Sequence, residues 1–382
     1  MKNFKLILNL TIVVTSFMFF QCTSEYTPIA GANGIDGVDG VDGVDGSNAD
    51  AALCITCHSS SHRDPIIDAY VTSGHGSGGS WARGTSADCA QCHNNEGYID
   101  YLSGNFYAKD ETTGDYLKDI NGDLIPTANP DGYAVSNPIN CTGCHTAHRS
   151  FDFTNDGNDY AVRNIDPVKL DLDPTITIDL ANGSDALGLS NACITCHQPR
   201  TSYPIPTGTD PVTITSSRYG PHHGPQSTVF EGIMGANIVG STGYPGAGVN
   251  GDSGHRAGTS CVACHMGEST VATEGGHTWM PSLDACVTCH DTMTEIPEAT
   301  SSFATNFPIL HDLLVAKGYI SESGSVLGAS GANASSTNPL VVPVKEAQAI
   351  WNYKTLEEDK SNGMHNPKYT DALLKNSIEA LQ

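Results

Sequence analysis

At 382 residues the chain is long enough for one to three domains, and its formal net charge of −24 excludes a nucleic-acid binder, which needs a basic face. The acidity fits a well-hydrated outer surface or basic partners. Leu, Ile, Val and Phe make up only about a fifth of the residues, a composition bordering on that of disordered proteins, so the side chains alone are short of core.

Residues 1–21 read as a secretory signal peptide: Lys2 and Lys5 precede a mostly apolar run from Leu6 to Phe20, too short and too early for a membrane span. Cys22 follows, where a bacterial lipoprotein carries its lipidated cysteine, although Gln21 stands where a small residue is usual. In residues 22–50, glycine recurs every third position from Gly31 to Gly46, with Asp36, Asp39, Asp42 and Asp45 between. The segment is too short for a collagen helix and lacks proline, so it reads as a flexible acidic tether. As a coil, the stretch between Cys22 and Cys54 spans roughly 30 Å. With Cys22 as a lipid anchor it would hold the rest off a membrane.

Cys54-Ile55-Thr56-Cys57-His58 is the first of six C-x-x-C-H motifs within residues 51–382. The others carry Cys89 and Cys92 with His93, Cys141 and Cys144 with His145, Cys193 and Cys196 with His197, Cys261 and Cys264 with His265, and Cys286 and Cys289 with His290. This is the attachment signature of c-type haem. Two thiols add across the two vinyl groups of one porphyrin, and the adjacent histidine gives a ring nitrogen to the iron. Zinc ribbons, disulfides and redox dithiols use C-x-x-C as well, but none needs a histidine after every second cysteine. Of 13 cysteines only Cys22 lies outside the motifs.

The chain therefore resembles a multihaem c-type cytochrome with six covalently bound haem c groups. The expected fold is haem-organised and mostly irregular, with short α-helices, a few β-hairpins and a C-terminal helical segment over 340–382. Six apolar porphyrins would supply core that the side chains lack. Between the motifs, Asp119-Ile120-Asn121-Gly122-Asp123 reads as a hairpin turn, and Thr175–Ile178 and Val212–Thr215 as short strands. Pro308 to Lys317 predicts a helix stopped by Gly318. Lys345 to Lys360 predicts another, with Ala347, Ile350 and Trp351 on one face. A last helix follows Asn366 as cap and Pro367 as first residue, with Leu374, Ile378 and Leu381 as its apolar stripe.

The six motif histidines leave nine others among the 15 of the chain. His75, His255 and His277 each follow a glycine, which lets backbone approach a porphyrin closely. His148 lies three residues after His145 and cannot easily reach the far face of the same haem, so it should ligate a neighbour. One of His222 and His223, in a Gly-Pro-His-His-Gly-Pro run, is expected as a further ligand, with His222 preferred. His311, among leucines, reads as structural, as do Met266, Met280 and Met364. His62 reads as a surface residue or as a ligand for a haem of another molecule.

Asp359-Lys360-Ser361-Asn362-Gly363-Met364-His365-Asn366-Pro367 is similar to the C-terminal segment of ammonia-forming nitrite reductases and related multihaem cytochromes, over about forty residues. The resemblance implies that His365 is a distal haem ligand. Those reductases mark their catalytic haem with lysine in place of the motif histidine, and all six motifs here end in histidine, so catalysis is not carried over. The expectation is electron transfer without substrate chemistry, at the outer membrane or cell surface. The partners expected are other redox proteins or an extracellular electron acceptor or donor. The alternatives are a reductase of nitrogen or sulfur oxyanions at an open haem, and a homo-oligomer or extracellular cytochrome filament.

Overall fold

The computed structural model describes residues 51–382 apart from 105, 111, 114, 121–124, 126, 128–130, 150–159 and 201–202. The signal segment, Cys22 and the glycine tether lie outside the described residues, as does the expected turn at Asn121-Gly122-Asp123. Its flanks are paired: the Ile125 amide donates to the Leu117 carbonyl at 3.2 Å.

Six helices of eight or more residues occur among the described residues: α1 (Ala51–His58), α2 (Ser60–Thr72), α3 (Asn95–Leu102), α4 (Ser301–Ala316), α5 (Val344–Asp359) and α6 (Pro367–Leu381). Between them run single helical turns and irregular backbone. Two small antiparallel sheets complete the regular structure. Strand β1 (Val168–Lys169) pairs with β2 (Thr177–Ile178), and β3 (Val212–Ile214) pairs with β4 (Leu340–Val342), with Thr213 opposite Val341. Among the described residues no helix is long and apolar enough to cross a membrane.

The side-chain core is concentrated where the sequence is most helical. Leu310 and Leu314 of α4, Ala347, Ile350 and Trp351 of α5, and Leu373 and Leu374 of α6 are fully buried in one cluster. Helix α4 begins at Ser301, earlier than its sequence suggests, because the Thr300 hydroxyl caps it by accepting from the Phe303 amide. Pro308 therefore sits inside the helix, where it removes one backbone bond. The helix closes with Gly318 at φ +72°, as the Tyr319 amide donates back to the Leu314 carbonyl at 3.0 Å. Helix α6 opens as expected: the Asn366 side chain accepts from the Tyr369 amide and Pro367 takes the first position. The motif-bearing segments before residue 300 have much smaller side-chain clusters, such as Leu170, Ile178, Leu180, Ile194 and Phe230. That division matches a chain whose apolar residues are too few for its length.

Candidate haem sites

Every motif begins within a helix or helical turn. One turn places the first cysteine and the histidine, four residues on, on the same face. The histidine amide closes the turn on the cysteine carbonyl: His145 to Cys141 at 2.8 Å, His197 to Cys193 at 2.9 Å and His290 to Cys286 at 2.9 Å. Short polar side chains start these turns. Asn140 accepts from the Thr142 amide, Ser260 from Ala263 and Ser282 from Ala285. All twelve motif cysteines are free of disulfides. Cys196 lies against Cys92, and Cys193 against Cys261, so the fourth motif sits between the second and the fifth.

The imidazole rings meet two by two. His58 and His148 have ring centres 6.2 Å apart, His75 and His197 6.2 Å, and His145 and His277 6.2 Å. His255 and His290 are 6.1 Å apart, and His265 and His365 6.3 Å. Each pair joins one motif histidine to one histidine from elsewhere. Two metal–imidazole bonds of about 2 Å, plus about 1.1 Å from each nitrogen to its ring centre, span about 6.2 Å. The interplanar angles run from 29° to 87°, as expected where each ring turns freely about its own metal bond. Among the described residues no group of three or more His, Cys, Asp or Glu side chains converges on a metal-ion site. The donor set and spacing fit one iron held between two imidazoles, with a cysteine pair beside one of them.

Comparisons with known proteins add little to this geometry. No family model matches the chain, and no curated protein does. Among solved structures, the chain is similar to the outer cell wall cytochrome OcwA at 17% identity and a TM-score of 0.45. The alignment covers 83% of this chain and 50% of that one, so this chain spans about half the length of its neighbour. A likeness of that size carries no argument about fold or function.

The outer nitrogens of six of the rings are held by the protein. The Nδ1 atoms of His145, His255 and His265 face the carbonyls of Tyr160 (2.9 Å), Met364 (2.6 Å) and Trp279 (2.9 Å). His197 faces the Gln226 side-chain oxygen at 3.3 Å. His223 and His365 face carboxylates instead, Glu358 at 2.8 Å and Asp359 at 2.6 Å. With Nδ1 donating outward, Nε2 is left as the metal-binding atom.

Burial also favours the neutral form of several of these histidines, as ligation requires. Burial, and then His197, push His75 down to about 4. Burial, and then His145, lower His277. His265 is lowered chiefly by burial, against the pull of the Trp279 carbonyl. At His365 burial also pulls down, but the Asp359 carboxylate outweighs it and the group ends above its usual value.

His93, the remaining motif histidine, is lowered first by burial and then by the His223 imidazole. His222 falls to about 4 through burial, with His223, Arg200 and His93 adding. His223 is in the left-handed region at φ +52°, followed by Gly224 at φ +68°.

His62 is exposed. His311 bonds Asp312 and the Glu322 carbonyl, consistent with a structural role. Nothing in the sequence marked Trp279, whose ring lies edge-on to His75 at 4.5 Å and to His277 at 5.3 Å. Nor did it mark Gln226 or Glu358, because an outer hydrogen-bond partner has no fixed spacing from the ring it holds.

Proposed function

We propose that the chain is a hexahaem c-type cytochrome that passes electrons at the cell envelope and performs no substrate chemistry of its own. The observation that carries this is the one-to-one pairing of motif and non-motif histidines at the span of two imidazoles about one iron. Haem c supplies one-electron exchange. The chain's residues space the groups, exclude water from them and tune them through ligands and burial.

The twelve motif cysteines would attach the groups. The axial pairs would be His58 with His148, His75 with His197, His145 with His277, His255 with His290, and His265 with His365. For His93 the partner would be His223 rather than His222, because Glu358 holds its Nδ1 and leaves Nε2 toward the metal. Two imidazoles per iron leave no position for a substrate. A signal peptide, a lipidated Cys22 and the tether would place the protein on the outer membrane, exchanging electrons with redox proteins or an external acceptor or donor.

Intact mass and the ferric electron paramagnetic resonance spectrum test this together. The mature protein should exceed its apoprotein by six haem masses and show low-spin iron only. A mass of four haems or fewer would refute the count. A strong high-spin signal with turnover of nitrite or hydroxylamine would favour the reductase instead, and a haem ligated only in assembled material would favour the filament.

A further inference from the structure

The last turn of α5 reaches three of the histidines. Glu358 Oε2 accepts from Nδ1 of His223 at 2.8 Å, and Asp359 Oδ1 accepts from Nδ1 of His365 at 2.6 Å. The second Asp359 oxygen takes the Ser361 hydroxyl, and this carboxylate is only 1% exposed. The backbone carbonyls of Glu358 and Asp359 receive the Gln226 side-chain amide at 2.9 and 3.2 Å, and Gln226 faces His197. The helix ends there, with Lys360 at φ +61°. The negative end of a sixteen-residue helix and two consecutive carboxylates thus lie in one place. Elsewhere the outer nitrogens of His145, His255 and His265 meet neutral carbonyls.

Resting on the axial pairs above, we propose that Glu358 and Asp359 are positioning residues that lower the reduction potentials of the haems at His93 and His265, with the His265 haem the lowest of the set. An anionic acceptor on Nδ1–H pushes electron density toward Nε2, and a more basic ligand favours the ferric state. The effect is larger where the carboxylate is out of water. Asp359 is 1% exposed whereas Glu358 is 21% exposed, and its partner His223 is 64% exposed. His197, held through the neutral Gln226 amide, should be affected less.

Asp359→Asn keeps the size and the accepting oxygen and removes the charge. In a spectroelectrochemical titration of the full haem-loaded protein, the lowest midpoint should rise while the other five stay in place. The low-spin g values of that haem should move with it. Glu358→Gln, at the more exposed of the two carboxylates, should raise a different midpoint by less. It keeps the test decisive should Asp359→Asn fail to fold. Unchanged midpoints in Glu358→Gln, or in a folded Asp359→Asn, overturn the inference even when the parent shows six low-spin haems. A parent with fewer than six overturns the axial pairs and this inference with them.

Discussion

Removing His148 tests the pairing most directly, because its effect should fall on a haem that is not its own. The His148 ring centre is 6.2 Å from that of His58, while His145, three residues before it, has His277 at the same distance. His148→Ala should therefore free a coordination position on the iron attached at Cys54 and Cys57. One iron in six changes, so about one sixth of the total iron should turn high-spin. Ferric electron paramagnetic resonance integrated against total haem measures the share, and added imidazole should abolish the signal. The double variant with His277→Ala separates the alternatives quantitatively. If the two histidines serve different haems, the share rises to about one third; if only one of them were a ligand, it would stay near one sixth. No high-spin signal in the single variant, or a double variant stuck at one sixth, would refute the pairing.

Cys22→Ala should move the protein from membranes into the soluble fraction, and retention after signal cleavage would refute the lipid anchor. Trp351 is fully buried, and its Nε1 donates to the Met234 carbonyl at 3.0 Å. Trp351→Phe should cost about 2–4 kcal/mol from that lost bond and a partial cavity, and a denaturation midpoint unchanged from the parent would contradict it. Asp171 is 1% exposed, and burial holds its carboxyl above the usual 3.8 despite the Gln91 amide at 2.9 Å. A raised value means the fold prefers the protonated acid. That contribution is complete below pH 3.8 and lost as the pH rises through the folded value. Asp171→Asn should remove this segment of the pH–melting profile, and an unaltered profile would show that another group causes it.

The motifs were legible because covalent chemistry fixes their spacing, and a helical turn honours it. The histidines outside the motifs were legible as ligand candidates from their number and, for His75, His255 and His277, from the glycine before each. Their partners were not. His255 stands six residues before Cys261 yet faces His290, and His75 precedes Cys89 yet faces His197. Proximity in sequence says nothing about which ring lies opposite when the backbone between is irregular. The same limit holds for strands. Val212–Thr215 announces itself by β-branched alternation, but its partner Leu340–Val342 is reached only through tertiary packing. Helix α4 was misplaced because proline favours first positions, whereas the Thr300 cap outweighs one missing bond inside.

The paired rings, joined through iron as proposed, would also act as staples. Held through iron, His58 and His148, His75 and His197, His93 and His223, and His145 and His277 would each close a loop of about 90 to 130 residues, which in the chain-entropy picture disfavours the unfolded state by about 4–5 kcal/mol per loop. The loops overlap from end to end: each opens before the preceding one closes, and the last shuts only at His365. No cut between His58 and His365 leaves every loop whole. Truncation should therefore yield no smaller autonomous module, and a chain released before its C-terminus is made would lack the clasp for His265.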